Sequence, residues 1–363
     1  MNVPRLAVAG DLTLTDSVLD GIEHAGACRW FGPLVDDLLV DTVGLVCNLE
    51  AVISEQGQPQ PGKPLLRSNH CALEALQVLR IVGATLANNH ILDWGWAAAS
   101  DTSAALDRLR IPSTGLIGLS RGSGPIRLDF GGWTIGLLAY ADATSGAVFT
   151  LDGRPRVPAF DPDRAADEVS GLAREVDAVL VSIHAGAQHV PYPEPHLRHA
   201  FRKTAMAGAA LVFGHHPHCI RGLEAPQGHW IAHGLGNFVT PDHVVLQDGR
   251  SVFVPRLKEN RVGAVLIIEP DGRGRVALRD VRFVSTNGRG QSSVLRGRAA
   301  RRWRRNLESV SKDLARLDYD RFQPDEEARL LRSQAWRIGL ARALGSGPSW
   351  SQLLTAWRLL RGR

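Results

Sequence analysis

Short apolar runs, each broken off by one or a few polar residues, recur along the first two thirds of the chain. Residues 5–9 (RLAVA) end at Gly10-Asp11, and residues 42–47 (TVGLVC) end at Asn48-Leu49-Glu50. Residues 84–87 end at Asn88-Asn89-His90, residues 178–183 (AVLVSI) at His184-Ala185-Gly186, and residues 209–213 at the Gly214–His218 stretch GHHPH. Such runs predict short buried strands. Between them, apolar positions recur at helical spacing over 70–82 (with Gly83 as the stop), 97–109, 162–175 and 195–207. Residues 126–130 and 133–140, joined by Gly131-Gly132, read as a hairpin, and two more hairpin-like turns fall at 226–228 and 271–274. Residues 143–160 read as an irregular loop. From residue 292 onward there is no strand signal, only helical candidates at 296–317, 324–344 and 350–360. The pattern predicts an α/β core over 1–291 with added antiparallel hairpins, followed by a helical extension over 292–363.

Composition narrows this picture without redirecting it. Apolar content of 44% and charged content of 22% over 363 residues are ordinary for a globular protein. Charge is uneven. Residues 296–363 carry sixteen Arg and Lys against seven Asp and Glu, a surplus of nine, so the total of +5 leaves −4 for residues 1–295. The extension is therefore the basic part, with a solvated helical face as the commoner meaning of such charge and an anionic contact as the other. Four cysteines (Cys28, Cys47, Cys71, Cys219) lack metal-knuckle or disulfide-frame spacing. No secretory leader is read in the opening residues and no run of ~18 uncharged apolar residues is present, so a cytoplasmic protein is expected. No nucleic-acid-binding module is recognisable.

The polar islands carry the chemistry. Asp, Glu, Asn and His at the ends of buried strands are the donor set of a catalytic divalent metal, and strand ends converge at the carboxyl edge of an α/β sheet. Asp11 and Glu50 can offset dication charge, Asn89 is a neutral oxygen donor, and His184, His216 and His218 favour Mn, Fe or Zn over Mg or Ca. If the 216–218 stretch is extended, His216 and His218 share one face, whereas His215 falls on the opposite one. Asp11 and Glu50 could instead cap helices. Asp93 is read as fixing the loop after His90, and Cys219 as a small buried residue.

Taken together, the segments AGDLTL, VCNLEAVI, LANNHILDWG, VSIHAGAQ, GHHPHCIRGLE and GLGNFV resemble, in order, the CapA family. These are poly-γ-glutamate capsule synthesis proteins of the calcineurin-like metallophosphatase superfamily, and the resemblance covers roughly residues 5–285. It implies a two-sheet sandwich flanked by helices that holds one or two divalent ions. Glu50 would bridge two metal positions, with Asp11 and His218 completing one and Asn89, His184 and His216 the other. His90 would face substrate as general acid or charge stabiliser, and Asn237 would lie beside the site and touch substrate. Gln188 is a further candidate at the substrate, and His189 either assists the substrate or is solvent-exposed. The implied mechanism is attack by a metal-bound hydroxide on a phosphoester or on a γ-glutamyl or capsule-type substrate.

Two departures stand out. Thr13 occupies the position of a superfamily histidine, and Gln188 that of a family glutamate; an amide neither accepts a proton as a base nor carries charge. These favour the alternative of a non-catalytic accessory protein in the synthesis of poly-γ-glutamate or another anionic polymer. The expected partner is an anionic small molecule or polymer. The Trp/Arg-rich helix at 350–360 would dock on the main domain or, alternatively, touch an anionic membrane peripherally.

Overall fold

Two β-sheets pack face to face, and the strand that opens the chain runs through the middle of one of them. Leu6–Leu12 pairs in parallel with Gly44–Leu49, antiparallel with Val262–Pro270 and, at its C-terminal end, in parallel with Asn237–Val239. Ile81–Thr85 and Ser113–Thr114 extend this sheet on one side, and Val276–Thr286 and Ser292–Val294 extend it on the other. The second sheet runs in the order Leu223–Glu224, Trp230–Ala232, Leu211–His215, Ala178–His184, Thr134–Ala141, Ile126–Asp129. The computed structural model describes residues 3–61, 64–119, 124–247, 250–254, 258–272 and 274–330.

Every residue of Leu6–Leu12 and of Ala178–His184 is buried. That is why these strands read as continuous apolar runs: in a sheet covered on both faces, alternate residues enter different apolar layers. Leu6, Val8 and Val46 point between the sheets, where they join Leu137, Leu180, Phe213 and Leu266. Ala7, Ala9, Leu45 and Cys47 face the other way, under the helices Asp16–Ala25, Ala27–Leu38, Cys71–Val78 and Gly95–Arg108. Val179, Val181 and Val212 of the second sheet pack under Pro162–Leu172 and Pro195–Met206. The result is the helix-flanked two-sheet sandwich implied by the family resemblance. Helix Pro162–Leu172 has a well-built start, with Pro162 in its first turn and the Asp161 carboxylate accepting from the amides of Asp163 and Arg164.

Several boundaries move, for local reasons. The helix expected over 70–82 ends at Val78 and the next strand begins at Ile81, ahead of Gly83. Arg80 takes a left-handed conformation (φ 53°) between them and anchors its guanidinium on the carbonyls of Leu39 and Thr42. Two helices over 16–38 are not predicted by the sequence pattern, because Gly26 (φ 79°) splits their apolar periodicity into two short pieces. The extension, expected to be purely helical, contains a strand, since Ser292–Val294 adds to the edge of the first sheet.

Gly297–Leu314 is helical, with Leu307, Val310 and Leu314 buried along one stripe and Arg298, Arg301, Arg302 and Arg305 exposed. It docks on the second sheet: Ser311 Oγ accepts from the Leu223 amide at 2.9 Å, and Tyr192 donates to Asp313 at 2.9 Å. A further helical stretch covers 319–330. The candidate helix at 350–360 and residues 331–344 of the preceding one lie outside the described residues. Among the described residues, no helix is long and apolar enough to cross a membrane.

Candidate metal centre

The carboxyl ends of the parallel strands of both sheets meet at one edge of the sandwich, and the polar islands meet there with them. Asp11 leaves the first strand beside Gly10, where the chain is pressed against Gly236: a Cβ on Gly10 would lie 1.8 Å from the Gly236 carbonyl oxygen. Only glycine permits this approach, which lets the Asp11 amide donate to the same carbonyl at 3.0 Å. Asn48 lies one residue before the end of the second strand, and Glu50 follows it. Asn88, Asn89 and His90 lie on the loop after Ile81–Thr85. His184 and His215 are register partners at the ends of adjacent parallel strands, so their side chains share a face.

The six expected ligands converge. Glu50, His184 and His216 present donor atoms all within 4.8 Å of one another, as do Asp11, Glu50 and His218. Glu50 belongs to both groups, and its Oε1 is 3.7 Å from Nε2 of His184 and 3.7 Å from Nε2 of His218. Asn89 Oδ1 stands 2.8 Å from Nε2 of His184. The rings of His184 and His216 lie edge to face with centroids 4.9 Å apart. All are buried, with Asn89 the most exposed at 9%.

Buried carboxylates and imidazoles at such separations fit a cation better than they fit one another. His216 Nδ1 finds no hydrogen-bond partner among the described residues. Asp11 Oδ2, although 3.3 Å from His218 Nδ1, accepts no well-formed hydrogen bond among them. Burial pushes the Asp11 carboxyl up, but His215 and His218 outweigh burial and hold it well below the usual carboxylate range. Burial, reinforced by neighbouring histidines, drives His184 and His216 well below the ordinary imidazole value. These directions favour an ionised Asp11 and neutral His184 and His216, the protonation states a metal ligand requires.

The HPH segment is not extended as expected. His216 (φ 90°) and His218 (φ 53°) both take left-handed backbone conformations in a turn after the strand. They converge because the chain is bent, at a cost of ~1–3 kcal/mol per strained residue. Nor does His215 face away: its Nδ1 lies 3.2 Å from Asp11 Oδ1.

Around the ligands runs a chain of amides, of which only Asn237 is given a role, at the substrate, by the sequence. Asn88 donates to Asn48 at 3.1 Å and to the Leu49 carbonyl at 2.8 Å, and Asn48 donates to Asp11 Oδ1 at 2.8 Å. On the other side, Asn237 Oδ1 lies 2.9 Å from His218 Nδ1, and its amide donates to the Asn260 carbonyl at 2.6 Å. The Asn260 side chain in turn meets His189. Asn48 and Asn88 sit inside polar islands, which was the available signal; Asn260 has none.

His90 stands at the mouth of the centre, 9% exposed. Its Nδ1 is 2.7 Å from Asp93 Oδ2, which also accepts from the Leu66 amide at 2.7 Å. Asp93 therefore holds the ring itself, where the sequence suggests only a brace for the loop, and directs Nε2 away from itself. Gln188 is half-buried and makes no side-chain hydrogen bond among the described residues. His189 (φ 65°) is also half-buried, its ring centroid 6.1 Å from that of His218. Their loop is braced from beneath by Arg221, which donates to the carbonyls of Val190 and Ala187 and to Glu194, while Glu194 accepts from the Ala187 amide. Thr13 is buried, and its hydroxyl takes no hydrogen bond among the described residues. Cys219 is a buried thiol, pushed by burial to about 11.

The family model "Bacterial capsule synthesis protein PGA_cap" matches residues 5–242. The PGA biosynthesis protein CapA of Bacillus subtilis is 26% identical over 201 residues, 54% of this chain and 53% of that protein. A Mycobacterium tuberculosis protein named "Probable polyglutamine synthesis accessory protein" is 30% identical over 218 residues, 56% of this chain and 57% of that one. The chain thus spans about half the length of the curated relatives it matches. Among solved structures, a 5'-nucleotidase precursor from Thermus thermophilus superposes with a TM-score of 0.45 at 14% identity, covering 86% of this chain and 59% of that one.

Proposed function

The chain belongs to the bacterial capsule synthesis protein family PGA_cap, and from that premise we propose that it is a metal-dependent hydrolase acting on a phosphoester or a γ-glutamyl, capsule-type substrate. The observation that carries this reading is the pair of buried donor groups sharing Glu50. Asp11, Glu50, His218 and Glu50, Asn89, His184, His216 would hold one or two divalent ions, with Mn, Fe or Zn suited to so many imidazoles. When bound, such ions polarise a phosphoryl or acyl oxygen and lower the pKa of water. The protein's own part is positional. Asn48 and Asn88 fix Asp11, Asn237 orients His218, and Asp93 holds His90 so that Nε2 can pass a proton to the leaving group or stabilise its charge. His189 and Gln188 line the approach.

Two features favour a second reading, an accessory role in the synthesis of an anionic polymer. Thr13 supplies no imidazole, and Gln188 supplies no carboxylate, so two chemically active groups of the wider family pattern are missing. Turnover decides between the readings. Protein reconstituted with Mn, Zn, Fe or Mg is assayed on a chromogenic phosphoester and on γ-glutamyl oligomers. The hydrolase reading expects activity on one of them, lost with the metal in His216→Ala and reduced ~100- to 10,000-fold with the metal retained in His90→Ala. Stoichiometric metal without turnover on either substrate supports the accessory role.

A further inference from the structure

Three arginines are buried among the described residues: Arg156, Arg198 and Arg221. Two have a protein acceptor or carboxylate at hand, although Nε of Arg198, like that of Arg156, is buried without a hydrogen-bond partner among the described residues. Arg221 donates to Val190, Ala187 and Glu194. Arg198 reaches the Leu314 carbonyl, lies 3.7 Å from Glu224 and stacks over Tyr319. Arg156 is different. It is 8% exposed, its Nε is buried without a hydrogen-bond partner, and no carboxylate among the described residues lies within ion-pair distance. Its one described side-chain partner is Trp96, over whose ring the guanidinium carbon sits at 3.9 Å.

A buried cation without an acceptor is costly, and a flat aromatic contact replaces only part of its hydration. Such a group is retained where something else supplies the acceptor. Its place in the fold says where that would be. The Arg156 carbonyl accepts from the Ile117 amide, and its own amide donates to the Phe149 carbonyl, so its backbone is fixed. Two residues on, the Pro158 carbonyl accepts from the Ala141 amide, and Ala141 is the register partner of His184. Trp96 stands three residues after Asp93, the residue that holds His90. Arg156 therefore lies between the two chain segments that lead to His184 and to His90. Gly118 (φ 92°) packs close against it, since a Cβ there would lie 3.0 Å from Nη1.

We propose that Arg156, held flat on Trp96, receives an oxyanion of the substrate, a carboxylate or a phosphate, and so selects substrates with a negative group apart from the reacting bond. The planar fork of a guanidinium matches both anions bidentately, and stacking fixes its plane in advance. The word substrate rests on the hydrolase reading; anion binding by Arg156 does not.

Calorimetric titration of the full chain, with and without added Mn, tests it with inorganic phosphate in one arm and γ-glutamylglutamate in the other. A component independent of metal is expected, weakened ~10- to 100-fold in Arg156→Met. Arg156→Lys, which keeps the charge but loses the fork, should fall between the two and serves if the Met variant does not fold. Loss in the phosphate arm alone identifies a phosphate ligand, and loss in the dipeptide arm alone a carboxylate. A folded variant that binds both anions as the wild type does, or a wild type that binds neither at millimolar concentration, overturns the proposal. If binding depends on Arg156 but no substrate is turned over, the hydrolase reading falls and this one stands.

Discussion

Among the described residues, two buried clusters that combine several histidines or arginines with carboxylates are built on opposite plans. In one, Glu224 is gripped by its neighbours: His233 Nε2 is 2.6 Å from Oε1, Arg202 pairs with Oε2, and Arg198 stands 3.7 Å away. Burial pushes Glu224 up, but His233 and Arg202 more than offset it and bring the carboxyl down to about 2. In the other, Glu50 approaches His184 and His218 only to 3.7 Å, and Asp11 approaches His215 and His218 at 3.2 and 3.3 Å. The first cluster closes its carboxylate off with short contacts from His233 and Arg202, although Nδ1 of His233 and Nε of Arg198 and Arg202 stay unpaired among the described residues, whereas the second aims its groups at common points and bends the backbone at His216 and His218 to do so. Both pair buried carboxylates with histidines, but only the first adds arginines. Separation and direction distinguish a brace from a site.

The sharpest way to break that distinction is to remove one carboxylate. Glu224→Ala leaves Arg198 and Arg202 without their shared partner inside the protein, and breaking a buried pair in this way costs ~3–5 kcal/mol. Urea unfolding should register that loss, while elemental analysis finds the metal content unchanged. His216→Ala should do the reverse, lowering metal content with the smaller effect on unfolding of the metal-free chain. If both substitutions move both readouts alike, the clusters are one structural unit and the contrast fails.

Acid titration sharpens the same point with a somewhat smaller effect. Glu224 has a folded-state value of about 2 against 4.5 for the unattached group. Its folded value is depressed, so the unfolded chain binds the proton first. The stability it contributes, ~3 kcal/mol, is complete above pH ~4.5 and drains away as pH falls toward 2. His233, lowered by burial despite Glu224, adds a loss of the same sign below its ordinary value of 6.5. The urea midpoint should therefore fall steeply with acid in the wild type and more gently in Glu224→Gln. Parallel slopes would mean that Glu224 is not the group responsible.

The site was more legible in the sequence than the brace, for a physical reason. Asp11, Glu50, Asn89, His184, His216 and His218 each follow an apolar run, so the change from buried strand to polar tip marks them one by one. The structure brings all six together. Nothing comparable marks Glu224 or His233, whose roles come from pairing across Leu223–Glu224 and Trp230–Ala232. Geometry beyond the single strand was also hidden. An extended HPH was the simplest reading of His216-Pro217-His218, yet the left-handed turn there follows from where Glu50 and Asp11 stand, which is tertiary information. His215 was placed on the wrong face for the same reason. Asn260 and Arg156 carried no local signal, because an amide in a turn and an arginine in an irregular loop look like solvent-facing residues until the fold buries them.

The two clusters share structure at residues 190–194, and the smallest predicted effect tests whether they are coupled there. Arg198 stacks on Tyr319 at 4.5 Å, and the Tyr319 hydroxyl donates to the Pro193 carbonyl at 2.7 Å. Glu194, next to it, holds Arg221 and the Ala187 amide beneath the loop that presents Gln188 and His189. Tyr319→Phe keeps the ring over Arg198 and deletes one buried hydrogen bond, worth ~0.5–1.5 kcal/mol. If bracing and site are separable, unfolding stability should drop by that amount while metal affinity and turnover stay at wild-type values. A fall in turnover with metal affinity preserved would show instead that the helical extension sets the loop over the site, making residues 292–330 part of the functional unit.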